Sequence, residues 1–135
     1  MGKLDGKKIA FIAADGVEQI ELTQPWEAVK DAGADVELLS LESGQIQGFN
    51  HLDHGDKFDV DKTVADADAS DYDGLVLPGG VANPDFLRVD DDVRAFVASA
   101  RDHHHVATPE DVAEVVAWLC SDAARLVTGN VLRMR

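Results

Sequence analysis

Three short apolar runs, separated by segments with helical spacing, place the strongest constraint on the fold of this chain. The runs are residues 7–14, residues 34–41 and residues 74–80. Apolar runs of this length are typical of strands that are buried on both faces of a sheet. Strands that alternate with helices form parallel sheets covered on both sides. The order therefore predicts an α/β fold, flavodoxin-like or Rossmann-like, with a doubly wound, mainly parallel sheet of about four strands.

Capping residues mark the helices between these runs. Thr23 is expected to cap a helix with Pro25 in its first turn, and Gly33 is expected to end it. A second helix is expected from about Asp90 to Ala100, with three aspartates at its N-terminal end, where the helix dipole favours negative charge.

The segment between the second and third runs breaks the alternation of strands and helices. Short β-like pieces around Ile46–Phe49 and Phe58–Val64 predict a small hairpin excursion from the main sheet. The run Asp66–Asp73 is rich in aspartate and predicts a solvated acidic loop.

The last part of the chain predicts one more helix and strand. Thr108-Pro109-Glu110-Asp111 combines a capping threonine, a proline at the first helical position and acids in the first turn. Val131–Met134 reads as a short strand, which we expect to lie beside Gly74–Leu77 in the main sheet.

Composition narrows the class of protein. The 135 residues contain 12 Lys and Arg against 26 Asp and Glu, a formal net charge of −14, and 45% are apolar. This predicts a single domain over residues 1–135. The negative charge disfavours nucleic acid and anionic membranes as partners. A single cysteine, no membrane-length apolar stretch and no signal-peptide core predict a cytoplasmic location.

The first two-thirds of the chain resembles a known family. The matching segments are KKIAFIAADGVEQIEL, TQPWEAVKDAG, DVDKTVADADASDYDGLVLPGG and NPDFLRVDDDVRAFV. Residues of about 7–98 thus look like the first half of the PfpI superfamily of intracellular proteases and deglycases, related to class I glutamine amidotransferases. On this interpretation residues 1–101 are a PfpI-like half.

The resemblance implies a cysteine on a strained strand-to-helix turn beside a histidine, a loop glutamate that hydrogen-bonds the thiolate, and backbone N–H groups that bind an oxyanion. Glu21, with Glu18 beside it, matches the glutamate motif, and Gly79 and Gly80 match the turn. The expected nucleophile strand after Ala100 is missing, because that segment reads RDHHHVAT.

The final residues carry a second likeness. Residues of about 107–134 resemble the C-terminal helix and strand of short-chain dehydrogenases, although no dinucleotide-binding glycine loop follows the first strand. Residues 102–135 would then be a segment from another family. The chain is interpreted as a chimera that is natural, designed or frameshifted.

Each candidate site residue also has a structural explanation that requires no catalytic or binding role. Glu18 and Glu21 could be helix-entry acids left over from an ancestor, and Gly79 and Gly80 could serve only a tight turn. Cys120, the only possible thiol nucleophile, falls inside a predicted helix, where an inert cysteine is expected. The run His103, His104 and His105 could bind metal weakly, but adjacent residues do not converge on one ion, so no specific metal site is expected.

These observations lead to an expected function with alternatives. The main expectation is a catalytically silent, recombined α/β domain with no cofactor. The first alternative is a PfpI-like hydrolase or deglycase that acts on small aldehydes, glycated groups or peptides. The second is an interaction module, and a dehydrogenase is disfavoured. An incomplete sheet also predicts a homodimer or a strand-exchanged oligomer, while the sequence leaves any small-molecule ligand open.

Overall fold

The computed structural model describes residues 2–103, which fall within the first of two compact units of the chain, Met1–His104. In chain order the described elements are β1 (Lys8–Ile12), β2 (Val17–Glu18), α1 (Gln19–Asp31), β3 (Asp35–Ser40), β4 (Gly44–Asn50), β5 (Asp53–Val60), β6 (Lys62–Thr63), two 3-10 turns (Val64–Asp66 and Ala69–Asp71), β7 (Gly74–Val76), α2 (Asn83–Val89) and α3 (Asp91–His103).

The main sheet is parallel and has four strands among the described residues, in the order β6-β3-β1-β7. In the register of the central strand, Phe11 lies opposite Leu38 of β3 and Val76 of β7. The predicted α/β fold with a mainly parallel sheet of about four strands is confirmed.

A second, mixed sheet holds the predicted hairpin. β4 and β5 pair antiparallel, and β2 pairs parallel with β4. The hairpin is confirmed, but its second strand was misplaced: β5 runs from Asp53 to Val60, whereas the predicted piece ran from Phe58 to Val64. Lys62–Thr63 of that piece pair with β3 in the main sheet instead. The pairing of β2 was not predicted, because a two-residue strand leaves no periodic signal.

Side chains that alternate along β1 supply both faces of the core. Ala10 and Ile12 pack with residues that include Tyr72, Val93 and Phe96, so this face is covered from the side of α3. Phe11 and Ala13 pack with residues that include Leu22, Ile46 and Trp26, so the opposite face is covered by α1 and the hairpin. The sheet is therefore covered on both sides, as its apolar strands predicted.

The predicted start of α1 was wrong. The helix begins at Gln19, and the Thr23 hydroxyl donates to the Gln19 carbonyl at 3.0 Å instead of capping the helix. The pairing of Val17 and Glu18 with β4 ends directly before Gln19, so tertiary contact sets the start of the helix. The predicted end is confirmed: Gly33 has a φ of +100°, and its N–H donates to Lys30 O at 2.8 Å.

Two features around β7 differ from the sequence prediction. α2 was missed, because its seven residues are too few to show a helical period. Asp66–Asp73 was predicted as a plain solvated loop, yet it contains the 3-10 turn Ala69–Asp71 and the buried residues Ala69 and Tyr72. The predicted helix near Asp90 is confirmed, since the Asp90 side chain accepts from Val93 N at 2.9 Å.

Several predictions concern residues beyond this part of the chain. The helix from Thr108 and the strand Val131–Met134 lie outside the described residues, so their placement and the single domain over residues 1–135 stay predictions. Within residues 2–103, no helix is both long enough and apolar enough to cross a bilayer.

Candidate functional site

A buried asparagine joins the loops that follow the two adjacent strands β1 and β7. Asn83 is fully buried. Its Oδ1 accepts from Ala14 N at 2.7 Å, and its Nδ2 donates to Pro78 O at 2.8 Å. These bonds hold the two loops together at the carboxyl ends of parallel strands, where α/β sheets bind ligands.

Sequence reasoning missed Asn83. Its one local signal is that it precedes a proline after a glycine-rich turn, and Asn-Pro pairs favour turns. That signal marks a loop and gives no indication that the side chain is buried or that it bonds to Ala14.

Glu21 and Gly79, both predicted as site residues, are in direct contact. Glu21 lies in the first turn of α1, and its Oε2 accepts from Gly79 N at 2.9 Å. Among the described residues this is the only hydrogen bond to the Glu21 carboxylate, which is exposed. The helix N-terminus favours a carboxylate at this position. With one N–H bonded to it among the described residues, the Glu21 carboxylate can still accept a hydrogen bond from a further group.

Glu18 lies beside the same turn, but its carboxylate has another partner. The Glu18 N–H donates to Gly79 O at 3.4 Å. Its side-chain Oε2 accepts from His51 N at 3.1 Å, where His51 occupies the hairpin turn with a φ of +59°. The two glutamates thus have different partners. The Glu21 carboxylate contacts the turn formed by Gly79 and Gly80, called the glycine turn below, and the Glu18 carboxylate bonds to the hairpin.

The glycine turn comes unusually close to β2. Gly80 has a φ of +123°, and a Cβ built there would lie 2.6 Å from both Glu18 N and Gly16 O. A Cβ on Gly79 would instead overlap Oε2 of Glu21. Glycine is needed at Gly80 both by conformation and by space, whereas an added Cβ at Gly79 would meet only the end of the flexible Glu21 side chain. Because Gly79 N–H already donates to Glu21, the predicted oxyanion role rests on Gly80 and stays a prediction.

The other candidate residues are not brought into this site by the described structure. His103 is the last residue of α3, while His104, His105 and Cys120 lie outside the described residues. In the part of the chain that the structure describes, no three His, Cys, Asp or Glu side chains are grouped to hold a metal ion.

The groups with shifted pKa values form a separate cluster. Glu37 Oε1 lies 2.7 Å from Lys8 Nζ, and Glu37 Oε2 accepts from the Tyr72 hydroxyl at 2.5 Å. The hydrogen bond from Lys8, followed by that from Tyr72, lowers the pKa of Glu37, and the bond to Glu37 raises the pKa of Lys8. Burial, followed by the bond to Glu37, raises the pKa of Tyr72. This is the pattern of a structural charge cluster.

Comparison with known proteins identifies relatives across most of the chain. The model of the DJ-1/PfpI family matches residues 7–132. The putative cysteine protease YraA of Bacillus subtilis is 45% identical over 86 residues, which are 63% of this chain and 48% of that protein. Deglycase PfpI of Pyrococcus furiosus is 33% identical over 128 residues, 95% of this chain and 69% of that protein. The chain spans about half the length of relatives such as YraA.

Solved structures agree with the fold. A two-domain protein of Anabaena variabilis, with DJ-1/ThiJ/PfpI-like and ferritin-like domains, superposes with a TM-score of 0.66 at 30% identity. The match covers 72% of this chain and 27% of that one. Oxidized DJ-1 of Toxoplasma gondii has a TM-score of 0.64, with 73% of this chain and 52% of that chain covered. At 21% identity the second match supports the fold alone.

These comparisons correct the main functional expectation. The family model continues to residue 132, through most of the segment interpreted as dehydrogenase-like, and none of these matches supports a chimera. Relatives that align over 95% of the chain are named as deglycases. The expectation of a catalytically silent recombined domain was wrong, and the enzymatic alternative is the better supported one.

Proposed function

The chain belongs to the DJ-1/PfpI family, and from this premise we propose that it is a hydrolase or deglycase acting on small aldehydes, glycated groups or peptides. The relatives named as a putative cysteine protease and as deglycases support this class of activity. Because the chain spans about half the length of relatives such as YraA, activity and substrate are both part of the proposal.

The contact between Glu21 and Gly79 carries the proposal. It joins two motifs that lie 58 residues apart and leaves a carboxylate exposed beside the glycine turn. In the proposed reaction Glu21 takes the proton of a thiol while the sulfur bonds to the carbonyl carbon of the substrate. The carbonyl electron pair moves to its oxygen, and the Gly80 N–H stabilises the negative charge formed there.

The proposal assigns the thiol to Cys120. It is the only cysteine in the sequence, and a thiol mechanism has no other nucleophile in this chain. Its position in a predicted helix favours an inert side chain, and the Cys120→Ser variant distinguishes the two roles.

Methylglyoxal consumption by the purified protein tests both assignments. We expect turnover by the wild type, loss of turnover in Cys120→Ser, and a fall of about 10²-fold in Glu21→Gln, since a positioned acid–base group contributes at least that much. Glu42→Gln, an equal charge change at an exposed residue elsewhere, should keep the wild-type rate.

Two results would overturn the proposal. The first is absence of turnover of methylglyoxal, of a glycated amine and of a peptide by the wild type. The second is a wild-type rate in Cys120→Ser, which would exclude the thiol mechanism.

Self-association remains a separate proposal. Val81, Phe86 and Val89, in and just before α2, expose large apolar side chains, a feature that favours contact between subunits. The homodimer or strand-exchanged oligomer expected from the sequence is thus retained as a prediction.

A further inference from the structure

A cavity of about 260 Å³ lies between α1 and the hairpin, and it shares no residue with the glutamate–glycine site. Its lining consists of Leu22, Thr23, Trp26, Glu27, Leu38, Phe58, Asp59 and Asp61. The volume is slightly below the roughly 300–1,000 Å³ of sites for drug-sized ligands. A cavity of this size suits a smaller molecule.

The floor of the cavity is apolar and built from packed residues. Leu22 and Leu38 are 2% and 3% exposed. Trp26 is half-buried, and its ring centroid lies 5.0 Å from that of the buried Phe11. A floor that is held in place by the core loses little conformational entropy when a ligand binds, so it is suited to an apolar or aromatic group.

The rim carries negative charge. Glu27, Asp59 and Asp61 are exposed, and no lysine or arginine is among the lining residues. Asp61 Oδ2 accepts from Leu38 N at 2.7 Å, and Asp59 Oδ1 accepts from Gln45 Nε2 at 2.8 Å. Within residues 2–103, no hydrogen bond or ion pair engages Glu27, so this carboxylate is available to a ligand.

We propose that this cavity binds a small organic cation, an amine carried on an aromatic or alkyl body. The body would fill the apolar floor, and the ammonium group would lie among the rim carboxylates, where their summed charge attracts cations. The aromatic rings of Trp26 and Phe58 add a cation–π contribution. The inference stands independently of the proposed reaction, since none of its residues belongs to that site.

Phenethylamine and 2-phenylethanol form a matched pair of probes, because they share the aromatic body and differ in charge. We expect phenethylamine to bind saturably at about 1 mM or below and to shift the NMR signal of the Trp26 indole N–H, assigned with Trp26→Phe. The alcohol should bind at least about tenfold more weakly, because it loses the attraction of all the rim carboxylates.

Variants locate the charge that is responsible. Glu27→Gln with Asp59→Asn should raise the Kd of phenethylamine by about tenfold and leave that of the alcohol unchanged. Glu42→Gln with Asp92→Asn changes the net charge equally at exposed residues elsewhere, so its Kd should stay at the wild-type value. Thermal melting checks that both double variants are folded.

Three outcomes would overturn the inference. They are equal binding of amine and alcohol, an unmoved Trp26 signal at saturation, or equal effects of the two double variants. Equal effects would mean that the binding of phenethylamine depends on the overall negative charge of the protein and not on the rim carboxylates.

Discussion

Two carboxylates of this molecule differ sharply in how completely the fold occupies them. Glu37 of β3 has Lys8, Lys62 and the Tyr72 hydroxyl around it, at 2.7, 3.8 and 2.5 Å, and its side chain is 23% exposed. Glu21 of α1 is exposed and accepts from one backbone N–H among the described residues. The Glu37 carboxylate is engaged by structural contacts, whereas the Glu21 carboxylate can still accept a hydrogen bond or a proton from a reacting group.

The comparison also distinguishes what each region contributes to stability. The Glu37 cluster joins β1, β3 and the segment before β7 through the Lys8–Glu37 ion pair and the hydrogen bond from the Tyr72 hydroxyl. The Glu21 region is held by backbone geometry and by Asn83, while Glu21 itself adds one exposed hydrogen bond. Substitutions in the Glu37 cluster should therefore change stability through lost charge interactions. Substitutions near Glu21 should change it through backbone strain and lost hydrogen bonds.

We expect the largest effect from Gly80→Ala, with a loss of about 2–4 kcal/mol in the free energy of unfolding. The new Cβ would clash with backbone atoms of Gly16 and Glu18 at a positive φ. Gly79→Ala is the matched control, because its Cβ meets only the end of the Glu21 side chain; we expect a loss below about 1 kcal/mol. Urea unfolding measures both, and equal losses would contradict this account of the turn.

Asn83→Ala should cost slightly less, about 2 kcal/mol, because it leaves the N–H of Ala14 without its buried partner. Asn50→Ala, at an exposed position at the end of β4, should change the free energy of unfolding by no more than about 0.5 kcal/mol. Denaturant melts of the two variants give the comparison. A small effect at Asn83 would show that the two loops do not depend on this side chain.

Apart from the control variants, Glu37→Gln should have the smallest effect on stability, about 1 kcal/mol at neutral pH, together with a defined pH dependence. Because the folded state lowers the pKa of Glu37, its stabilising contribution is present above the ordinary glutamate pKa of 4.5. That contribution is lost as the pH falls through the lower folded-state value.

Melting temperatures between neutral pH and pH 3 measure this dependence. The difference between wild type and Glu37→Gln should narrow as the solution becomes acidic, whereas Glu42→Gln should track the wild type throughout. A difference that is constant with pH would mean that the Glu37 charge is not what stabilises the cluster.

The parts of the fold that could be predicted are those recorded in local periodicity. The strands β1, β3 and β7, the first strand of the hairpin and α3 were recognised because apolar spacing, turn residues and capping aspartates are properties of neighbouring residues. The start of α1 was misplaced by five residues, since the helix is capped at Glu18 and not at Thr23. Thr23 is a residue type that favours caps, whereas the pairing of β2 sets the helix start. α2 was missed because seven residues carry no clear period.

By itself, the sequence determined that the strands alternate with helices, which faces are apolar, and that Glu21 and the glycine turn are candidate site residues. Only the tertiary structure decided that the carboxylate of Glu21, and not that of Glu18, contacts Gly79, and that Asn83 is buried against Ala14. Those contacts join residues 58 and 69 positions apart. No local pattern records them, because they depend on which strands become neighbours when the sheet assembles.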